Sequence, residues 1–225
     1  KFLFVSYETE SSDLAWQVLK EGHEVKFFSE YIGDTDVCEG FIEKVKNWKE
    51  WIEWSDLVIF DDIDFGPEAD KLRKKGKLVI GGSNYTDRLE TDREFGQKEL
   101  KKYGVSTLPT WHFSDYDEAI SFIKTNPGRY VFKPSEGVLS SNKDLLFIGE
   151  EENGNDLLEI LGQNKDVWQK KAPLFILQKY VSGVEVAVGT FFNGKEFILP
   201  INVNFEHKRL FPGDIGPFTG DMGAL

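Results

Sequence analysis

Short apolar runs rich in β-branched and aromatic residues alternate with stretches of helical period over the first third of the chain. KFLFVSY (1–7) predicts a strand, and SSDLAWQVLKEG (11–22) predicts a helix with Leu14, Ala15, Val18 and Leu19 at helical spacing, stopping at Gly22. HEVKFFS (23–29) reads as a second strand, WKEWIEWSD (48–56) as a short helix, LVIFDD (57–62) as a third strand, EADKLRKKG (68–76) as a helix closed by Gly76, and KLVIGG (77–82) as a fourth strand. Strands and helices alternating at this pitch indicate a parallel sheet covered on both faces, so residues 1–85 are expected to form a small doubly wound domain.

The texture then changes. A helix is expected over LETDREFGQKELKKYG (89–104), followed by VSTLPTWHF and a second helix, DYDEAISFIKTN (115–126), capped by Ser114. Beyond Pro127 the runs RYVFKP, DLLFIG, LFILQKYV and VEVAVGTFFNGKEFILPINV are strand-like, and Asn193-Gly194 signals a two-residue hairpin turn. Residues 86–225 therefore read as an antiparallel α+β unit, giving an α/β protein in two parts. Trp48, Trp51 and Trp54 are expected to serve packing.

Composition narrows the partners. The 225 residues carry 27 Lys and Arg against 39 Asp and Glu, a net charge of −12, which repels phosphate backbones and argues against nucleic acid or anionic membranes. Any anion site must be a local basic pocket. The lone Cys38 excludes an internal disulfide, and His23, His112, His207 and Cys38 show no metal-ligand spacing. No run among these residues is long and apolar enough to span a membrane, so a cytoplasmic location is expected, with a monomer or small homo-oligomer and small-molecule partners.

Three clusters could carry chemistry. Lys133 ends an apolar strand and is followed by a loop of small residues reaching Lys143, a pattern that can set point charges on a polyphosphate; the alternative is a lysine that snorkels at a strand end. LFILQKYVSGVEVAV combines a strand, a polar hinge and Glu185 among valines. A hinge backbone can read an adenine edge while a nearby carboxylate accepts from ribose hydroxyls; the alternative is an outward-facing strand glutamate. His207, Lys208 and Arg209 then precede the glycines of GDIGPFTGDMG, basic side chains beside backbone that an anion can approach closely, or else an exposed basic turn. Asp61, Asp62 and Asp64 follow the third strand, where doubly wound sheets bind ligands, and are expected to be a solvated acidic patch.

In this order and spacing the three clusters resemble the ATP-grasp ligases. HKR followed by GDIGPFTGDMGA is similar to the D-H-K-R and G-P-N-T-G-G-M-G-A signature of the phosphoribosylamine–glycine ligases, the glycinamide ribonucleotide synthetases of purine synthesis. The likeness extends over VIGGSNYTDRLETDREFGQKELKKYGVST and so covers most of residues 78–225, with a lid subdomain implied at about 128–182.

What the resemblance implies is an acylphosphate reaction. ATP would phosphorylate glycine or another carboxylate, and an amine acceptor, phosphoribosylamine in the family, would attack to form an amide. Carried over by position, Lys133 would hold the α/β-phosphates and Arg93 would stand at the family's second phosphate lysine. Lys143 would reach the phosphates from the covering loop, Glu185 would bind ribose, and Gln178 with the Lys179 and Tyr180 backbone would meet adenine. His207, Lys208 and Arg209 would take the catalytic positions, and Gly216, Pro217, Thr219, Gly220 and Gly223 would line the substrate side. The resemblance also implies Mg²⁺, with ligands beyond Leu225, and hence that this chain is part of a longer protein.

The departures from the family fall on substrate and phosphate positions. The family's Gly-Gly-Arg-Glu-His turn, which takes the ribose 5-phosphate, is here SYETESSD; the covering loop holds Ser140, Ser141 and Asn142, and Phe218 and Asp221 replace Asn and Gly. A related ligase with another substrate, or a nucleotide-binding module without catalysis, are the alternatives these changes leave open.

Overall fold

A computed structural model of the chain describes residues 1–31, 33, 36–134, 145–213 and 215–219. Its first part is a parallel sheet in the order β3-β2-β1-β4-β5, formed by β1 (Phe2–Ser6), β2 (Val25–Ser29), β3 (Glu43–Lys44), β4 (Leu57–Phe60) and β5 (Leu78–Ile80). The expected four strands are present, and the two-residue β3 is an addition too short to leave a hydrophobic pattern.

Alternation along β1 divides the core in two. Leu3 and Val5 point with Val58 and Phe60 towards α2 (Gly66–Lys74), whereas Phe4 points with Phe27 and Ile59 towards α1 (Ser12–Lys20). Every one of these strand residues is buried, and each large side chain removed from water stabilises the fold by roughly 1.5–3 kcal/mol. In α1 the spacing was read correctly for Ala15, Val18 and Leu19, but Leu14 is 54% exposed because it falls outside the stripe facing the sheet. The tryptophan segment condenses to one 3₁₀ turn, Trp48–Trp51. It does serve packing: Trp48 is buried, and Trp51 lies 3.7 Å from the Lys26 ammonium, which is also ion-paired to Glu43.

The stretch expected as one helix over 89–104 is two, α3 (Asn84–Thr91) and α4 (Arg93–Lys102), broken at Asp92 with φ −109° and ψ 90°. Each has its own N-cap. Ser83 and Thr86 form a reciprocal capping box on α3, and the Asp92 carboxylate accepts from the Phe95 amide at 2.9 Å on α4. A Cβ at Gly96 would sit 2.4 Å from the Leu89 carbonyl oxygen, so only glycine lets the two helices cross this closely.

The second part holds an antiparallel sheet in the order β6-β9-β7-β8, from β6 (Thr110–Phe113), β7 (Tyr130–Pro134), β8 (Phe147–Ile148) and β9 (Phe175–Lys179). Phe113, Phe132, Phe175 and Leu177 pack against α5 (Tyr116–Thr125) and α6 (Asn155–Lys171). Two expectations need correction. The cap of α5 is Asp115, whose carboxylate reaches the Asp117 and Glu118 amides, and not Ser114. The seventeen-residue α6 lies in a region expected to be strand-rich; Leu157, Leu161 and Trp168, on one helical face against the core, are the signal that would have found it.

β10 (Val186–Phe192) and β11 (Phe197–Phe205) form a hairpin whose side chains are largely exposed, Val188 and Phe197 among them. Its turn spans four residues rather than two, because the Asn193 side chain accepts from the Lys195 and Glu196 amides and holds the wider loop. β12 (Arg209–Phe211) pairs with β13 (Ile215–Phe218). No helix among the described residues is long and apolar enough to cross a membrane.

We expect Gly96→Ala to destabilise the protein by about 1–3 kcal/mol, the usual penalty of overpacking, read as a lower denaturation midpoint in urea with an unchanged slope.

Candidate functional site

The face of the second sheet that turns away from α5 and α6 is polar. Strand alternation places Thr110, Lys133 and Gln178 there, and the register Val131↔Gln178 and Lys133↔Ile176 sets Gln178 diagonally beside Lys133. The Lys133 ammonium donates to Gln178 Oε1 at 2.8 Å. Lys133 is half-buried, and burial followed by the positive charge of Arg93 pushes its pKa down. Arg93, the first residue of α4, is itself half-buried and lowered by desolvation. No ion pair among the described residues compensates either cation. Two desolvated positive charges within reach of each other form a site poised for an anion.

The hinge follows at the end of β9. The Lys179 amide donates to Pro109 O at 2.9 Å and the Tyr180 amide to Arg129 O at 3.0 Å, so both N–H groups expected to face a base are committed to the protein. A base edge would meet the carbonyls here or the residues that follow. The Arg129 guanidinium carbon lies over the Tyr180 ring, 3.5 Å from its centroid.

A cavity of about 480 Å³ gathers Lys133, Gln178, Lys179, Tyr180, Glu185 and Lys208 from four stretches of sequence, and Thr219 also lines it. Its apolar wall comes from Val131, Leu146 and Ile148. A second cavity of about 1000 Å³ adjoins it through Tyr180, Glu185 and Lys208, and brings in His207, Arg209 and Pro217. Arg93 lines a third, of about 560 Å³, which reaches the same sheet face at Gln178 and Thr110. The structure thus collects most of the residues singled out from sequence along one polar face, though distributed over three connected hollows.

Several of those residues also do local work. Lys208 pairs with Glu206 at 2.8 Å and Glu185 at 3.3 Å, and these carboxylates hold its pKa up. Glu185 is therefore exposed and ion-paired. Within the glycine segment, Ile215–Phe218 form strand β13. Arg209 Nη1 donates to Gly216 O at 2.6 Å, and Thr219 donates through its amide and hydroxyl to Lys208 O, closing the hairpin. Gly216 has φ +91°, and a Cβ there would meet the Phe211 ring at 2.8 Å, so glycine is required for backbone and space alike. Lys143, Gly220 and Gly223 lie outside the described residues.

At the carboxyl end of the parallel sheet the acidic patch proves more than solvated. Asp61 accepts from the Ser11 amide and hydroxyl, capping α1 from the neighbouring strand, while Asp62 accepts from the Ile63 amide. Glu10, in the turn after β1, is pushed up by burial and then by the charges of Asp61 and Asp62. Sequence reasoning passed over Ser11 and Arg129, whose roles depend on strands far apart in the chain, and Thr110, which faces Gln178 only once β6 and β9 pair.

Comparison with known proteins gives a consistent family. The model of the phosphoribosylglycinamide synthetase ATP-grasp (A) domain matches residues 91–225. Among curated proteins, a phosphoribosylamine–glycine ligase from Methanocorpusculum labreanum is 32% identical over 167 residues, 71% of this chain and 37% of that protein. One from Clostridium acetobutylicum is 27% identical over 195 residues, 84% of this chain and 45% of that protein. The chain spans less than half the length of these two relatives. Among solved structures, the phosphoribosylamine–glycine ligase of Thermotoga maritima superposes with a TM-score of 0.67 at 20% identity, over 99% of this chain and 54% of that one. An ADP complex of N5-carboxyaminoimidazole synthetase from Staphylococcus aureus reaches 0.61 at 13% identity, over 93% and 55%. These two share the fold. With the cation pair and the hinge on one face of an antiparallel sheet and the family model matched over residues 91–225, the chain belongs to the phosphoribosylglycinamide synthetase ATP-grasp (A) domain family.

Proposed function

We propose that this chain supplies the nucleotide-binding part of an ATP-dependent ligase that joins glycine to phosphoribosylamine through an acylphosphate. The observation that carries the reading is the pair of half-buried cations, Lys133 on the sheet and Arg93 at the start of α4, neither of them ion-paired to a carboxylate among the described residues. A polyphosphate satisfies both. Lys133 and Arg93 would bind the phosphates, Glu185 the ribose, and the apolar wall of Val131, Leu146 and Ile148 would cover the base beside Gln178 and Tyr180. Lys143, Gly220 and Gly223 keep the phosphate and substrate roles that the family pattern implies.

In the reaction a glycine carboxylate oxygen attacks the γ-phosphorus and ADP leaves. The phosphoribosylamine nitrogen then attacks the acyl carbon, the acyl–oxygen bond breaks, phosphate departs carrying the proton that the nitrogen gives up, and an amide is formed. The cations neutralise the phosphates and hold them in line, so the protein's contribution is mainly position and charge. His207, Lys208 and Arg209 face the adjoining cavity, where an anionic intermediate would lie. Among the described residues no group of three or more His, Cys, Asp or Glu is placed to hold a metal, so no step is assigned to Mg²⁺ here. The partners are small molecules, in keeping with a net charge of −12 and a cytoplasmic protein.

One observation favours a second reading, a related ligase with a different amine acceptor. The turn after β1 carries Glu10 close enough to Asp61 and Asp62 to raise its pKa. A ribose 5-phosphate brought there would face carboxylates. The deciding assay is ADP release by the protein as its gene encodes it, with Mg²⁺ and ATP and with glycine and phosphoribosylamine added singly and together. We expect release to require both; release that needs glycine and another amine supports the second reading, and none with any pair defeats the ligase assignment.

Lys133→Met should weaken ATP binding in calorimetry by at least tenfold while raising the melting temperature. The sign follows from linkage. A lysine whose pKa is lower folded than unfolded binds fewer protons in the native state, so its charge opposes folding at neutral pH and the penalty fades only as pH rises towards the ordinary lysine range. Removing the charge should therefore stabilise the fold, by roughly 1 kcal/mol. A mutant that loses both stability and binding would show Lys133 to be structural.

A further inference from the structure

We propose that Thr110 is a positioning residue of the nucleotide site, orienting the Lys133 ammonium through the side-chain amide of Gln178. The inference rests on the nucleotide reading of the cleft given above. It begins with donors and acceptors. The Thr110 hydroxyl lies 3.0 Å from Leu108 O, and because a carbonyl can only accept, the hydroxyl proton is committed to it. The hydroxyl oxygen then has only lone pairs to offer, and Gln178 Nε2 approaches it at 3.4 Å. At the other end of the amide, Lys133 has only protons to offer, so the atom facing it at 2.8 Å must be Oε1.

Both ends of the amide thus demand the same orientation. The result is a one-way chain in which Lys133 donates to Gln178, Gln178 to Thr110 and Thr110 to Leu108. Its geometry is set by pairing across the sheet, since Thr110 and Gln178 are register partners on β6 and β9, and Lys133 lies two residues beyond Val131, the partner of Gln178 on β7. The Gln178–Thr110 bond is the longest of the three, and it holds from behind the orientation that the Lys133 ammonium also demands. Turned over, the amide would set its NH₂ group against the ammonium, two donors face to face beside the positive charge of Arg93.

A lysine held by one fixed acceptor keeps its remaining protons aimed in a fixed direction, which is what a phosphate site needs. Without the Thr110 oxygen, Gln178 is held only at its Lys133 end, and the amide and the ammonium are free to swing together. The effect should fall mainly on the phosphate end of the ligand, where Lys133 acts, and much less on the nucleoside end, which Gln178 borders.

The test compares binding of ATP and of adenosine to the full chain by calorimetry. We expect Thr110→Val to weaken ATP roughly tenfold, about 1.4 kcal/mol, to weaken adenosine by no more than about twofold, and Thr110→Ser to restore ATP affinity to within about twofold of the parent. The double variant Thr110→Val, Gln178→Leu should bind ATP no more weakly than Gln178→Leu alone, because one chain is being cut twice. Thr110→Ala repeats the comparison without the added methyl if the valine variant does not fold. Equal ATP affinity of parent and Thr110→Val overturns the positioning role while the nucleotide reading stands. Parallel loss of ATP and adenosine, or no rescue by serine, overturns it as well. A parent chain that binds no ATP removes the nucleotide reading and this inference together.

Discussion

Side-chain alternation across β7 and β9 is the constraint on which the rest of the second part depends. Phe132, Phe175 and Leu177 must enter the aromatic core with Tyr116 and Trp168. Their immediate neighbours, Lys133, Ile176 and Gln178, are then forced to the opposite face. A slip of one residue would bury a lysine and expose a phenylalanine, so the core that stabilises the sheet also fixes where its charges stand. The cation of the cleft is in this sense a consequence of the packing behind it.

Arg93 arrives by a different route. It begins α4 because the chain breaks at Asp92, where the side chain caps the new helix, and because Gly96 lets α4 pass against the Leu89 carbonyl. A continuous helix over the same residues would have carried Arg93 round with the turn. Its position near Lys133 costs stability, since both charges are desolvated and neither is paired within the described residues. A site that is unfavourable until an anion enters is the arrangement expected where binding, rather than folding, has set the choice of residues.

Much of this was legible in the sequence, and the misses have physical causes. The parallel sheet announced itself because β1 and β4, at its middle, are buried on both faces and read as unbroken apolar runs. Lys133 and Glu185 stood out against apolar neighbours. The break at Asp92 did not, because helix propensity runs smoothly through 84–102 and only the contact with Leu89 requires the interruption. Nor did β13, whose Gly216 and Pro217 carry no strand signal: pairing with Arg209 and Phe211 is a property of the hairpin, not of Ile215–Phe218 alone. The Asn193 turn carried the right signal, but the side chain's bonds to two amides selected a longer loop.

By itself the sequence determined the alternation of elements, the two-part α/β plan, the kinds of chemistry available and the order in which the basic and glycine-rich clusters occur. These follow from local rules of period, capping and turn that act over a few residues. Only the tertiary structure decided which donors face which acceptors. Gln178 turns to Lys133 because Thr110 lies across the sheet, Asp61 caps α1 from a neighbouring strand, and the hinge amides of Lys179 and Tyr180 are taken by Pro109 and Arg129. Such pairings join residues tens of positions apart and answer to distance and direction, which a linear pattern does not encode.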